Sequence, residues 1–450
     1  MEETWHHARL IPTSGISGAE EQERRATSAL LAVMSAVKEF SRAMLKPLGA
    51  PAGTVECYIE VPFQSGDKTY YPDGLIRVRR GSKAWTALVE VKTGRNELAA
   101  DQLETYLDIA KEQGFDALVT ISNQIQTAPG QHPTKVDRRK LRKVALHHWS
   151  WTYVLSMAVL QKEHRGVSDP EQAWILGELI RYLEHPRSGA MELEDMGAHW
   201  VPVRQAVTMG TLRPSDKGLP EVAERFDALL RYASLRLGRQ LGTDVVQVRT
   251  RKEIADPAIR TQALISSLVS DGQLSGAIRI PDTVGPIHIV ADLRASQVTC
   301  YVDLDAPRQG RPTTRVNWLL RQLKAAPDIT RIEVFVANSR AASAAELLRK
   351  VREKPDLLVA DPKKEIRSFR VAISTPMGTK KGRGRGAFID SVVGLMDQFY
   401  SDVVQHLKAW SAAPPKMREP EPEQIDQPVL ASTALSSQDG PEETAKDATG

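Results

Sequence analysis

Apolar and polar residues repeat with two different periods along the first third of the chain. Residues 18–49 (GAEEQERRATSALLAVMSAVKEFSRAMLKPLG) carry an apolar residue at every third or fourth position, which predicts one long amphipathic helix that ends in its Pro-Leu-Gly sequence. Residues 57–63 (CYIEVPF) and two runs within 73–92 predict strands. The two runs are separated by Gly81-Ser82, which predicts a hairpin.

The helical period returns at 97–114, and strands are predicted at 115–123 and 144–148 before a helix near 150–162. The predicted order is helix, three strands, helix, strand. This order places a mixed sheet between helices and predicts an α/β fold class.

Charged residues interrupt the two strands of the predicted hairpin. Glu90 and Lys92 share one face of the second strand because side chains alternate along a strand. Counting outward from the turn places Asp73 directly opposite Glu90, about 5 Å away across the ladder. Two facing carboxylates destabilise a sheet unless a cation lies between them, and a divalent metal is the simplest such cation.

These residues resemble a known superfamily. Pro72-Asp73, sixteen intervening residues and Glu90-Val91-Lys92, in an αβββαβ order, resemble the PD-(D/E)xK nucleases with their restriction-endonuclease-like fold. Gln102-x-x-x-Tyr106, on the helix after the lysine strand, is similar to a motif of the RecB-like branch. The resemblance covers about residues 19–160.

Phosphodiester hydrolysis explains these residue types chemically. Mg²⁺ or Mn²⁺ polarises a phosphoryl oxygen and activates water, and Mg²⁺ is commonly held by one or two carboxylates. Asp73 and Glu90 would hold the ion, with the Val91 carbonyl as a third oxygen. Lys92 would orient or deprotonate the attacking water, or offset charge on the phosphate.

Several further residues are candidates for the same site. The resemblance implies a glutamate from the first helix as another metal ligand; Glu23 is the candidate and Glu20 the alternative, with Glu60 as a third possibility on the preceding strand. Gln102 and Tyr106 lie one helical turn apart and would orient Lys92 or contact phosphate. The alternative is that they have no catalytic role and lie at ordinary surface and core positions of the helix. The pair His147-His148 has no metal-site spacing and is interpreted as satisfied or exposed.

The second half of the chain predicts another α/β or α+β domain without a Walker loop, a dinucleotide fingerprint or a nucleophile elbow. Helices are predicted at 219–242, 312–325, 341–353 and 387–410, and strands near 244–250, 276–281, 286–293, 297–304, 331–338 and 366–375.

Two basic stretches lie in this half. The stretch KKGRGRG predicts a flexible loop that tracks a phosphate backbone through Lys380, Lys381, Arg383 and Arg385, with a solvated loop as the alternative. Four arginines surround the predicted helix at 312–325, and they are Arg308, Arg311, Arg315 and Arg321. Trp318 on that helix is interpreted as a buried residue rather than a stacking platform.

Composition sets the compartment and the domain boundaries. Hydrophobic residues make up 41% and charged residues 26% of 450, which is typical of a soluble protein, and two cysteines indicate a reducing compartment. The sequence begins without a basic leader or an apolar span, so a cytoplasmic location without a membrane partner is expected. Predicted segments are an N-terminal arm (1–18), a nuclease-like domain (19–165), a helical or loop connector (166–218), a C-terminal domain (219–410) and a disordered acidic tail (411–450).

Charge is unevenly distributed between these segments. The tail holds eight acidic and three basic residues, a net charge of −5, against a total of +4 for the chain. The preceding 410 residues therefore carry +9, which is compatible with nucleic-acid binding, and the tail would recruit a protein partner.

The sequence predicts a metal-dependent nuclease acting on DNA, with RNA as the other candidate substrate. The alternative is a catalytically inactive nuclease fold that serves as a nucleic-acid-binding or protein-interaction scaffold. The sequence leaves the oligomeric state and the position of cleavage open.

Overall fold

The computed structural model describes residues 10–11, 18–126 and 131–412. Most of these residues lie in helices and strands. The predicted acidic tail from residue 413 onward, and most of the predicted N-terminal arm, lie outside these residues.

The helices, in chain order, are α1 (Ala19–Ala36), α2 (Lys38–Leu45), α3 (Ala100–Glu112), α4 (Trp151–Val159), α5 (Pro170–Leu183), α6 (Trp200–Thr208), α7 (Leu219–Leu241), α8 (Arg251–Ala255), α9 (Pro257–Ser270), α10 (Pro312–Gln322), α11 (Leu348–Glu353) and α12 (Phe388–Asp402). The strands are β1 (Thr54–Ile59), β2 (Phe63–Ser65), β3 (Lys68–Tyr70), β4 (Gly74–Arg80), β5 (Lys83–Val91), β6 (Ala117–Ser122), β7 (Ala145–Ser150), β8 (Val246–Gln247), β9 (Gln273–Arg279), β10 (Ile287–Asp292), β11 (Gln297–Asp305), β12 (Arg331–Val336), β13 (Ala344–Leu347) and β14 (Ile366–Pro376).

The first sheet is mixed, in the order β1-β4-β5-β6-β7. β1, β4 and β5 are antiparallel, whereas β5, β6 and β7 run parallel. Helices α1, α2, α4 and α5 share an apolar core with one face, and α3 packs on the other face. The predicted α/β class with a mixed sheet is therefore confirmed.

The second sheet has seven antiparallel strands in the order β13-β12-β14-β11-β10-β9-β8. Its buried face forms a second core with side chains from α6, α7, α9, α10, α11 and α12. The predicted connector is divided between the two cores, because α5 packs in the first and α6 in the second. The described residues up to Trp410 form one compact unit.

The hairpin of β4 and β5 has the predicted register. Arg80 pairs with Lys83 and Gly74 pairs with Val89. Gly81 adopts φ +59°, a left-handed conformation that glycine accepts without steric cost. The predicted register is therefore confirmed as far as the pair Gly74–Val89. Asp73 and Glu90 are the next residues beyond this last pair.

The single long N-terminal helix predicted from the sequence is wrong. α1 ends at Ala36, and Val37 has an extended backbone (φ −103°, ψ 98°) before α2 begins. The Val37 side chain is fully buried, and the Lys38 N–H donates to Gln172 Oε1 at 3.3 Å. Packing against α5 therefore stabilises a break that local periodicity does not indicate.

Two further element predictions are corrected. The strand expected at 57–63 ends at Ile59, because Glu60 turns the chain with φ +52°. The helix expected at 341–353 begins only at Leu348, because Ala344–Leu347 form the edge strand β13, which pairs with β12. The alanine-rich sequence favours a helix locally, but backbone pairing with the sheet overrides that preference.

Within the described ranges, no helix is both long enough and apolar enough to cross a membrane.

Candidate active site

A polar layer lies at one end of the first sheet, on the face that α3 covers. Leu88 pairs with Leu118 in the apolar layer beneath α3, and two residues further along Glu90 pairs with Thr120. Because side chains alternate, Glu90 and Thr120 point to the same face as the leucines. Asp73, directly before β4, adjoins Glu90 in this layer.

The carboxyl groups of the half-buried Asp73 and the buried Glu90 lie next to each other at this end of the sheet. Asp73 Oδ2 also accepts a 2.7 Å hydrogen bond from the Val91 N–H, and Glu90 is only 1% exposed. Burial raises the pKa of Asp73. Burial and the neighbouring Asp73 charge raise the pKa of Glu90 to about 8. The two carboxyl groups therefore lack enough neighbouring positive charge to ionise at their ordinary pKa values.

Lys92 supplies the nearest positive charge to this pair. Its Nζ lies 2.7 Å from Glu90 Oε1 and 3.5 Å from Glu23 Oε2. Burial lowers the pKa of Lys92, but Glu90, Glu23 and Asp73 together outweigh burial and raise that pKa to about 12. The Lys92 ammonium group is therefore charged at neutral pH with these partners.

Glu23 is the acidic residue of α1 that reaches this site. Its Oε1 accepts hydrogen bonds from Asn96 Nδ2 at 2.6 Å and from the Thr93 N–H at 3.4 Å. The alternatives face elsewhere: Glu20 and Glu60 are exposed and both pair with Arg24.

Glu23 does not join the carboxyl pair in a set of three ligands. Among the described residues, no group of three or more His, Cys, Asp or Glu side chains is placed to hold a metal ion. The structure thus brings Glu23 to Lys92 rather than to a common point with Asp73 and Glu90.

Gln102 and Tyr106 reach the same layer from α3. Gln102 Nε2 donates to the Tyr106 hydroxyl at 3.3 Å, and Tyr106 is 6% exposed. Burial raises the pKa of Tyr106 to about 12, and the charges of Glu90 and Asp73 add to the rise. Tyr106 is thus both a core residue and a neutral hydroxyl group beside the carboxyl pair.

A histidine network that sequence analysis missed continues the polar layer. Thr120 Oγ1 lies 2.7 Å from His132 Nε2 and 2.8 Å from His148 Nδ1, and His148 Nε2 lies 2.8 Å from the Gln124 carbonyl oxygen. A carbonyl only accepts, so His148 Nε2 carries a proton and Nδ1 accepts from Thr120. His132 Nε2 must then donate to Thr120.

Both histidines of this network are held neutral. Burial lowers the pKa of His148 to about 3 and that of His132 to about 4. The interpretation of His148 as a satisfied residue is confirmed, whereas the buried Nε2 of His147 has no hydrogen-bond partner among the described residues. Thr120 is the only sequence signal for the network, as a hydroxyl inside the otherwise apolar run ALVTI.

A second unpredicted feature holds the backbone that follows Lys92. Asn123 Nδ2 donates to the carbonyls of Gly94 (2.9 Å) and Gly189 (2.8 Å), and the Met191 N–H donates to Asn123 Oδ1 at 2.7 Å. The Trp151 Nε1–H donates to the Lys92 carbonyl at 2.9 Å. These bonds fix the end of β5 against the segment around Gly189.

One basic residue of the loop near 383 is held by neighbouring side chains. Arg383 donates to Asp390 at 2.8 Å and to Glu192 at 3.3 Å, and its guanidinium lies 5.7 Å from the Tyr232 ring centroid. All four predicted nucleic-acid contacts are exposed, but the other three make no ion pair within the described ranges: Lys380, Lys381 and Arg385.

The four arginines around α10 comprise one buried residue and three exposed residues. Arg315 is 6% exposed and donates to the Ile366 carbonyl at 2.6 Å and to Glu365 at 2.7 Å, so it is a structural residue. Trp318 is half-buried against the second core, as expected. The remaining members are exposed: Arg308, Arg311 and Arg321.

Comparison with known proteins gave no match to a family model and no match to a curated protein.

Proposed function

We propose that this protein is a divalent-metal-dependent nuclease that hydrolyses phosphodiester bonds, with DNA as the substrate class and RNA as the second candidate. One observation carries the proposal. The half-buried Asp73 carboxyl and the buried Glu90 carboxyl lie together at a sheet end, with the Lys92 ammonium 2.7 Å from Glu90. Carboxylates that face each other in a buried layer are costly, and such strained groups concentrate at functional sites.

The carboxyl pair fits a hard divalent cation. Carboxylate oxygens are the side-chain ligands that Mg²⁺ and Mn²⁺ prefer, and a cation would relieve the repulsion that raises the pKa of Glu90. Asp73 and Glu90 would hold the ion, with the Val91 carbonyl as the further protein oxygen. A bound ion would polarise the phosphoryl oxygen and lower the pKa of a water molecule.

The remaining residues of the site act through charge and position. The charged Lys92 ammonium group donates hydrogen bonds and stabilises negative charge on a phosphate, which favours the electrostatic role over that of a base. Glu23 holds Lys92 from the side of α1, and Gln102 and Tyr106 close the layer from α3. The Val91 N–H fixes the orientation of the Asp73 carboxylate.

The order of elements supports the same proposal. α1, β1, β4, β5, α3 and β6 follow the αβββαβ order of the PD-(D/E)xK nucleases, with the small β2-β3 hairpin inserted before β4. Asp73 lies directly before β4, Glu90 near the end of β5 and Lys92 directly after β5, in the order that the resemblance implies. Gln102 and Tyr106 follow on α3. We therefore include the restriction-endonuclease-like core, of the RecB-like variant, in the proposal.

The test is a cleavage assay of the full chain on linear duplex, circular duplex, single-stranded DNA and RNA, each with Mg²⁺, Mn²⁺ or EDTA. We expect cleavage with either metal and none with EDTA. Degradation of linear substrates alone indicates an exonuclease, and cut circles indicate an endonuclease. Binding without cleavage of all four substrates contradicts the proposal and supports the scaffold alternative.

A further inference from the structure

A cavity of about 560 Å³ lies between α2 and the start of β1. Its walls are α2, the segment 50–53 that leads into the first sheet, and parts of β1 and β4. This volume falls within the range of about 300–1,000 Å³ that small-molecule sites occupy. The cavity is large enough for a ligand of nucleotide size.

One wall of the cavity carries three basic side chains. Lys38 and Arg42 on α2 and Lys46 directly after it follow one another at intervals of four residues. Because Lys46 keeps a helical backbone, the three form a stripe along one side of the helix. The break at Val37 separates α2 from α1 and lets this stripe face the segment 50–53. The helix break that contradicts the sequence prediction therefore shapes this wall.

The basic stripe has no acidic counterpart. None of the three side chains has a carboxylate within ion-pair distance in the described part of the chain, and the cavity lining contains no Asp or Glu. Glu39, the acid next to Lys38, accepts from the Ser168 N–H at 3.1 Å instead. Like charges one turn apart destabilise a helix, and a bound anion would relieve this repulsion.

The opposite wall is apolar. Pro51, Val55 and Val78 line it, and Leu45 extends it beneath α2. Such a surface accepts the face of an aromatic ring, whereas inorganic phosphate would leave it uncovered. The two walls together fit a molecule with an anionic end and a flat apolar end.

The cavity is distant from the candidate active site. Val78 in its lining is five residues from Asp73 along β4, which corresponds to about 17 Å in a strand. A ligand there would contact neither Asp73, Glu90 nor Lys92. The cavity is therefore a separate site.

We propose that this cavity binds a nucleoside phosphate, with the phosphates on Lys38, Arg42 and Lys46 and the base against Pro51, Val55 and Val78. Three cations match the charge of a diphosphate, and charge-assisted hydrogen bonds to phosphate are the strongest that these side chains make. This site goes beyond the proposed nuclease function and does not depend on it.

The test is isothermal titration of the full chain with ADP, adenosine and inorganic phosphate, separately and without divalent metal. We expect one ADP per chain, with adenosine and phosphate each at least about 10-fold weaker because each covers one wall only. The double substitution Lys38→Gln/Arg42→Gln should weaken ADP at least about 10-fold. Lys111→Gln, on the exposed side of α3, is the matched control and should bind as the wild type does.

Three outcomes overturn the proposal. The first is the absence of ADP binding, and the second is equal ADP affinity in the double variant and the wild type. The third is a single-stranded oligonucleotide that competes with ADP at equal affinity, because the cavity would then be a contact for a nucleic-acid backbone. Circular dichroism of the double variant checks that it remains folded. Cleavage is not measured in this test, so its result is independent of the nuclease proposal.

Discussion

The Asp73 carboxylate accepts a 2.7 Å hydrogen bond from the Val91 N–H, which joins the start of β4 to the end of β5. This bond aims the carboxyl group at Glu90, on the neighbouring strand, instead of at solvent. A carboxylate that is fixed in this way loses little conformational entropy when it binds a cation. In the proposed nuclease, the carboxyl pair would bind the metal and Lys92 would stabilise charge on the phosphate.

Asp73→Asn and Lys92→Ala should both abolish cleavage for different reasons. Asp73→Asn removes one of two metal-binding charges, so the rise in melting temperature that Mg²⁺ produces should disappear together with activity. Lys92→Ala removes no ligand, so that rise should persist while the cleavage rate falls by about 100-fold or more. Glu60→Gln changes an exposed glutamate outside the site and is the control for both variants. Cleavage by Lys92→Ala at the wild-type rate would show that the site is assigned wrongly.

Glu90→Gln should stabilise the protein in EDTA although it removes activity. Glu90 is 1% exposed and faces another carboxyl group, so its charge opposes folding, whereas glutamine keeps the shape without the charge. Lys92 retains Glu23 as a partner after the substitution. We expect the free energy of unfolding at pH 8 to rise by about 1 kcal/mol, because relieving a strained functional site commonly has this effect.

Chemical denaturation in EDTA measures this change, and Glu60→Gln again serves as the control. A loss of stability in Glu90→Gln would mean that its pairing with Lys92 outweighs the repulsion from Asp73. The carboxyl pair would then be a structural feature rather than a strained functional one.

The hairpin register followed from the sequence because one turn fixes it. Once the chain reverses at Gly81, the alternation of side chains determines every pair as far as Gly74 and Val89. The positions of Asp73, Glu90 and Lys92 in one layer are local consequences of that register. Glu23 could be proposed from the helical stripe of α1, but its contact with Asn96 required the fold.

Long-range contacts account for what the sequence did not predict. The break at Val37 is stabilised by Gln172, whose Oε1 accepts a hydrogen bond from the Lys38 N–H. The two residues are 134 positions apart in the chain. The histidine network joins β6, β7 and the loop between them, and no local pattern relates Thr120 to His132. Arg383 was interpreted as a free cation because Glu192, its partner in space, lies 191 residues away.

Stability should fall as the pH decreases from 6.5 toward 4, in part because of His148 and His132. Burial lowers their pKa values to about 3 and about 4, below the ordinary histidine value of 6.5. The unfolded chain therefore binds more protons than the folded chain in this window, so the contribution is present above pH 6.5 and is lost as the pH falls. Each histidine contributes a slope of up to about 1.4 kcal/mol per pH unit.

The measurement is the free energy of unfolding at several pH values between 7.5 and 4.5. His148→Gln should flatten the slope relative to the wild type, whatever its effect on stability at pH 7.5. His406→Gln, at an exposed position, should keep the wild-type slope. Parallel curves for His148→Gln and the wild type would contradict the neutral, buried state of His148.

The basic residues near 383 should separate into one structural residue and three binding residues. Arg383→Ala breaks hydrogen bonds to Asp390 and Glu192 and should destabilise the protein by about 1–2 kcal/mol.

Lys380, Lys381 and Arg385 are exposed and make no ion pair within the described ranges, so replacing all three with alanine should leave the melting temperature unchanged. DNA affinity should fall instead, since each lost phosphate contact reduces the slope of log K against log salt by about 0.9. Binding titrations at several salt concentrations measure this slope, and a triple variant with the wild-type slope would place the DNA contacts elsewhere.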